Sequence, residues 1–229
     1  MDSLFAWTTP FIADACLLLG LPIRLGPPFL KPNIPGSRVM GPVVPTRHAG
    51  STDVFLEAIA SASAGDVLVI DNGGRLDEGC IGDLVVGEAF MSRLAATLVW
   101  GTHRDTAAIL AIGARVWSLG TCPAGPRELR ARQPEALTSA QFGPTLVTAD
   151  DVAFTDEDGA VFVGRADVAR VVDAAFDIAR GEGNQAARLL KGELLRAQFD
   201  LDRYVARRRE NPQYTFREHL KSFGGAIEI

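Results

Sequence analysis

Lysine is almost absent: of 23 basic residues only Lys31, Lys191 and Lys221 are lysines, which leaves 20 arginines. A Schiff base needs a lysine pocketed at lowered pKa, and none of the three closes an apolar strand pattern. Carbonyl chemistry in this chain therefore calls for a metal as electrophile rather than an imine. Cysteine is scarce too: Cys16, Cys80 and Cys122 are odd in number and widely spaced, without the C-x-x-C pair of zinc or redox sites. That pattern reads as a reduced intracellular protein. No apolar run reaches the roughly 18 residues of a membrane span, and Met1-Asp2-Ser3-Leu4-Phe5 has no basic leader, so the expected location is the cytoplasm. Positive charge is not in excess either. A net charge of −5 and a pI near 5.3 argue against nucleic acid and anionic membranes, which attract a basic field.

What is present is an ordinary globular composition, 47% hydrophobic and 22% charged over 229 residues, the size of one domain with an appendage. Thr8-Thr9-Pro10 before an apolar run closed by Gly20 reads as a helix. Residues 21–37 hold five prolines and two glycines and read as a connecting loop. Residues 38–47 read as a strand that its prolines confine to an edge or a bulge. A helix is expected over 51–64, a doubly buried strand at 67–71 ended by Asn72-Gly73-Gly74, a helix over 83–95, a strand at 97–100, a helix over 105–112 and a strand at 116–118. This alternation implies right-handed crossovers and a mostly parallel sheet. Strands at 152–154 and 160–163 flank an Asp158-Gly159 turn. Helices are expected over 167–180, 185–198 and 215–223, the last with Thr215 and Glu218 at capping-box spacing. The chain thus divides into an α/β domain over 1–165 and a helical C-terminal extension over 166–229, packed on that domain or on a neighbouring subunit.

In a parallel sheet, ligands bind beyond the carboxyl ends of the strands. Two such ends are rich in chemistry. In residues 72–83 (NGGRLDEGCIGD), a glycine turn and a helix N-terminus would offer free amides to a carboxylate or phosphate; alternatively Gly73-Gly74 only turns the chain and Asp83 only caps a helix. In Gly101-Thr102-His103-Arg104-Asp105, the guanidinium suits a carboxylate and Asp105 suits a hard cation that keeps several waters; alternatively both are surface and capping residues. Between Asp83 and Arg104 lie 104 − 83 − 1 = 20 residues, the room of one helix and one strand, so both ends open at the same sheet edge. Cys80 and Cys122 read as small buried residues, and Arg207-Arg208-Arg209 as a solvated helix face.

The arrangement of Asp83, twenty residues, then Arg104-Asp105 resembles the 4-hydroxy-4-methyl-2-oxoglutarate aldolase and oxaloacetate decarboxylase family, the RraA-like proteins, which also includes regulators of ribonuclease E activity. The resemblance runs from about Thr9 through Val163 and includes Gly65-Asp66-Val67-Leu68-Val69-Ile70-Asp71, Gly82-Asp83-Leu84 and Asp156-Glu157-Asp158-Gly159, with a further similarity in Thr215 to Leu220 and Gly224 to Glu228. It implies a layered sandwich of the swivelling-domain type, assembled as homotrimers or homohexamers. It implies a divalent-metal-dependent lyase that cleaves 4-hydroxy-4-methyl-2-oxoglutarate or decarboxylates oxaloacetate, giving pyruvate. Asp105 would ligate Mg²⁺ or Mn²⁺, Arg104 would bind the carboxylate and keto oxygen of a small 2-keto acid, Asp83 would hold a water on the metal, and the amides of Asp83, Leu84 and Val85 beside Gly82 would receive the carboxylate. The alternative within the same resemblance is a non-catalytic regulator that binds a protein partner such as a ribonuclease. The chain departs from the family's common pattern at His103, at Arg75, Asp77 and Glu78, and in Thr106-Ala107 after Arg-Asp. His103 would be structural, or contact substrate, or relay a proton; Arg75 would pair with Asp77 or Glu78, or tune the substrate's distal group.

Overall fold

The structure, a computed structural model, describes residues 7–222. Met1 to Phe5, Phe223 and the Gly224 to Glu228 motif lie outside the described residues. The described chain forms two compact units: Thr8–Pro10 with Ile23–Ala169, and Phe11–Pro22 with the described residues from Arg170 onward.

In chain order the elements are α1 (Thr9–Leu18), β1 (Arg24–Leu25), β2 (Lys31–Pro32), β3 (Val39–Arg47), α2 (Asp53–Ser61), β4 (Val67–Gly79), α3 (Asp83–Met91), β5 (Ala96–Thr102), α4 (Thr106–Ile112) and β6 (Val116–Ser118). There follow β7 (Ser139–Phe142), β8 (Thr145–Thr148), β9 (Asp151–Thr155), β10 (Ala160–Gly164), α5 (Val168–Leu190), α6 (Leu195–Gln198), α7 (Leu201–Glu210) and α8 (Phe216–Lys221). The large sheet has the order β1-β10-β9-β3-β4-β5-β6-β2. Its centre, β3-β4-β5-β6, is parallel, and its flanks are antiparallel. The expected mixed α/β architecture with C-terminal helices is what the chain adopts.

The apolar runs of β4 and β5 are continuous because both faces of these strands are covered. Successive residues alternate between two cores. Leu68, Ile70 and Val99 pack with Phe55 of α2, Val86 of α3 and Ile109 of α4. Val67, Val69 and Leu98 pack on the other face with Trp117, Phe162 and the β7-β8 residues Phe142 and Val147.

Four expectations are corrected. The proline-bearing strand is central, not at an edge: β3 pairs with β9 through Val39–Pro42 and with β4 through Val43–Arg47. Because it changes partner midway, each proline faces a ladder on one side only, which a missing N–H tolerates when it turns to the other. Asn72-Gly73-Gly74 does not end β4; the strand bulges there and runs on to Gly79, pairing Arg75 with Gly101 and Gly79 with Thr102. The helix after Gly82 stops at Met91, where Arg93 turns left-handed at φ 64°. The helix expected over 167–180 and the first part of that expected over 185–198 are one continuous helix, α5, which passes through Gly181 and ends at Leu190, before Gly192 at φ +92°, the conformation that commonly closes a helix; residues 195–198 form the separate α6. The β7-β8 hairpin was hidden in a segment without an alternating pattern. The Thr215 capping box on α8 forms as expected.

Leu98 is fully buried in the centre of the sheet, so Leu98→Ala should lower the unfolding free energy by about 2–5 kcal/mol, measured by urea denaturation.

Candidate functional site

Parallel pairing of β4 and β5 brings the segment after Gly79 beside the segment after Thr102. Cys80 N–H donates to the Thr102 carbonyl at 3.1 Å, and Arg104 N–H donates to that of Ile81 at 3.0 Å. A third segment closes on them: Gly79 N–H donates to the Ala124 carbonyl at 2.7 Å, His103 N–H to Gly120 at 3.1 Å, and Cys122 N–H to His103 at 2.9 Å.

Three glycines in these segments shape the space around Arg104 and Asp105. A Cβ at Gly82 would stand 2.3 Å from Asp105 Oδ2, one at Gly125 2.6 Å from Arg104 Nη1, and one at Gly79 2.9 Å from Arg104 Cβ. Only glycine leaves room for these side chains where they lie. Arg104 Nε is 3.4 Å from Asp105 Oδ2, and the two side chains are 45% and 43% exposed. Asp105 is the N-cap of α4, yet its side chain makes no capping bond and its backbone is left-handed at φ 60°, ψ 35°. Such a conformation costs a non-glycine residue about 1–3 kcal/mol and persists only where the surroundings fix it.

Asp83 opens α3 directly after Gly82. Its Oδ1 accepts from Leu84 N–H at 2.9 Å, and the helix ladder begins with Val86 N–H to the Gly82 carbonyl at 3.0 Å. Leu84 projects outward, 84% exposed, whereas Val85 packs against the core. The structure thus brings Gly82, Asp83, Arg104 and Asp105 to one place at the sheet edge. His103 is buried, with Nδ1 2.9 Å from Ser118 Oγ and Nε2 3.1 Å from Thr106 Oγ1. Arg75 is held by acids, Nε 3.1 Å from Asp77 Oδ1 and Nη2 3.2 Å from Glu78 Oε2. Cys80 is fully buried, and burial pushes its thiol pKa far up, so it is no nucleophile.

Sequence reasoning missed Gly125, which sits in an irregular stretch, and a second polar cluster beside the ends of β3 and the straight part of β4. There His48 stacks on Phe55 at 5.1 Å and its Nδ1 lies 2.8 Å from Asn72 Oδ1. Glu78, almost wholly buried, has Oε1 3.9 Å from His48 Nδ1 and 4.0 Å from Arg130 Nη2, with no hydrogen-bond partner. A cavity of about 170 Å³ lined by His48, Asn72, Gly73 and Arg130 adjoins this cluster. No spacing rule links residues 48, 72, 78 and 130.

Among the described residues no group of three or more His, Cys, Asp or Glu side chains could hold a metal ion. A single carboxylate with waters and ligand oxygens is a common environment for Mg²⁺, and Asp105, uncapped and facing a glycine, has the donor chemistry for it. No helix among the described residues is long and apolar enough to cross a membrane.

Comparison with known proteins gives the family and the fold. Residues 9–162 match the family model described as RraA-like, Aldolase/RraA. Over 105 residues the chain is 30% identical to a Bacillus anthracis protein provisionally named a 4-hydroxy-4-methyl-2-oxoglutarate aldolase, a match covering 46% of this chain and 65% of that protein. The fold is similar to that of Streptomyces coelicolor RraAS2, described as an unusual member of the RNase ES inhibitor RraA family, with a TM-score of 0.69 and 25% identity over 80% of this chain and 93% of that one. It is also similar to an uncharacterized protein of Pseudomonas syringae pv. tomato, with a TM-score of 0.65 and 20% identity over 93% of this chain and 92% of that one.

Burial holds the pKa values of His48 and His103 below the ordinary 6.5, against the opposing pull of the Asn72 and Gly120 hydrogen bonds. The unfolded chain therefore binds more protons as pH falls through 6.5, and stability is lost on acidification until the folded histidines titrate, by at most about 1.4 kcal/mol per pH unit for each. Urea unfolding should show a lower free energy near pH 5.5 than near pH 7.5, with a shallower difference in His48→Gln.

Proposed function

We infer that this chain, which belongs to the RraA-like family, Aldolase/RraA, is a divalent-metal-dependent lyase that cleaves a carbon–carbon bond next to a 2-keto acid and releases pyruvate. The observation that carries this reading is the convergence of Arg104 and Asp105 on Gly82-Asp83, with glycines at 79, 82 and 125 leaving space for the two charged side chains. The Bacillus relative's name supports the same chemistry.

Asp105 would hold Mg²⁺ or Mn²⁺. The ion, when bound, supplies a Lewis acid that polarises the keto group and draws off the charge developing as the bond breaks. Arg104 presents a planar fork to the substrate carboxylate and keeps a fixed positive charge where that negative charge forms. The start of α3 would complete the anion site through the amides of Asp83 and Val85, the Leu84 amide already donating to Asp83 Oδ1. Asp83, which opens α3 directly after Gly82, would be the group that takes or returns a proton through water. Arginine serves as the anion-binding residue, since it stays charged whatever the local dielectric.

A second reading, a regulator that binds a protein partner without catalysis, is favoured by the likeness to RraAS2. The two part on a single assay. With Mg²⁺ present, purified protein should release pyruvate from oxaloacetate or from 4-hydroxy-4-methyl-2-oxoglutarate, and a chelator should stop it. Asp105→Ala and Arg104→Ala should each lower the rate by about 10²–10³-fold. Gly82→Ala, whose methyl would displace the Asp105 carboxylate, should weaken activity with the fold intact by circular dichroism. No pyruvate from either compound, with a stoichiometric protein partner recovered instead, would establish the regulator.

A further inference from the structure

His103 stands where it could touch substrate, yet it is 4% exposed and both ring nitrogens are occupied. The hydrogen bonds around it fit the following assignment of protons. Ser118 Oγ donates to the Gly120 carbonyl at 3.0 Å, which uses its only proton. It then accepts from His103 Nδ1–H at 2.9 Å. In this assignment Nε2 carries no proton and accepts from the Thr106 hydroxyl at 3.1 Å.

The two ends of that last bond enclose Arg104 and Asp105. Residue 103 is tied to the 118–122 loop through its backbone as well as its ring, and Thr106 is the first residue of α4. The residues between them therefore have a fixed start and a fixed end. Asp105 at φ 60° lacks a capping bond to hold it there, so the restraint comes from outside its own side chain. The left-handed turn in turn leaves its carboxylate against Gly82 instead of folded over the helix amides.

We propose that His103 is a positioning residue: an Nδ1-protonated imidazole that links Ser118 to Thr106 and thereby holds Asp105 in the left-handed conformation that presents its carboxylate to the metal and substrate. It acts through Thr106 and the turn, not on the substrate. The inference rests on the metal-dependent reading above for its functional consequence, while the clasp itself is a statement about this chain alone.

The test uses the full-length protein with Thr106→Val, which keeps the shape and deletes the donor, Thr106→Ser, which restores it, and His103→Gln. Mn²⁺ affinity is read by electron paramagnetic resonance, and the His103 ring ¹⁵N shifts by NMR. Wild type should show a protonated Nδ1 and an unprotonated, hydrogen-bonded Nε2. Thr106→Val should move the Nε2 shift and the Asp105 amide signal and weaken Mn²⁺ binding by about 10-fold, the lower range for supporting-residue losses. Thr106→Ser should return all three, and His103→Gln with Thr106→Val should be no weaker than the worse single variant. An Nε2-protonated ring, or a Thr106→Val protein with altered stability but unchanged Asp105 signal, overturns the clasp. Unchanged Mn²⁺ affinity in Thr106→Val overturns its positioning role. If wild type binds no Mn²⁺, the metal-dependent reading and the positioning role fall together, and the ring and amide signals still decide whether the clasp exists.

Discussion

From Trp100 to Thr102 β5 advances two steps, while its partner β4 runs from Asp71 to Gly79. The surplus residues leave the ladder in two bulges, yet the pairing resumes after each, at Arg75 and again at Gly79. Everything at the candidate site depends on that resumption. Had β4 parted from β5 at Asp71, the segment 80–82 would have no ladder to hold it beside Arg104, and Gly82 would have no reason to meet Asp105. Bulges are usual where a sheet must re-aim side chains. Here they place a polar surplus, Asn72 to Glu78, on the sheet edge and carry the backbone on to α3.

That surplus has an energetic cost of its own. Glu78 Oε1 and Asn72 Nδ2 are buried without hydrogen-bond partners, and a buried unpaired polar group destabilises by about 1–3 kcal/mol. Glu78 is paired with Arg75 at 3.2 Å and lies only loosely beside Arg130 and His48. The two bulges thus rely on ion pairs within the extension itself, and on the stacking of His48 over Phe55, which fastens the end of β3 to α2. Arg75 belongs to this arrangement: with Asp77 and Glu78 both in contact, its charge is already neutralised and its reach toward a substrate is spent.

The legible parts of the sequence were those in which local pattern and tertiary role coincide. The runs around Leu68 and Leu98 are apolar at every position because both faces are covered, so their strands and the parallel order of their block could be read directly. The twenty-residue gap between Asp83 and Arg104 fits one helix and one strand, which set both loop ends on one edge. The rest was hidden where tertiary pairing overrides local signals. Gly73 and Gly74, at φ 64° and 69°, look like a terminating turn and are instead a bulge. Pro42 and Pro45 look like edge markers and lie in a central strand that switches partners. Gly125, in a stretch without periodicity, gives no sign that it leaves room for a guanidinium.

The scarcity of lysine gains a physical meaning from the Arg104–Asp105 pair. At nearly half exposure an ion pair 3.4 Å apart is worth about 0–1 kcal/mol, so neither partner is committed to the other. Either side chain can turn to another charged partner at small loss, which a buried, fully paired couple could not do. The backbone makes the opposite choice. Asp105 is held in a conformation it would not adopt unaided, His103 is sealed in the core on both nitrogens, and glycines at 79, 82 and 125 exclude any side chain that would fill the space. The charged groups are free to exchange partners because the chain that carries them is fixed, and arginine, charged at any relevant pH and presenting its donors in a rigid plane, suits such a scaffold better than a flexible lysine would.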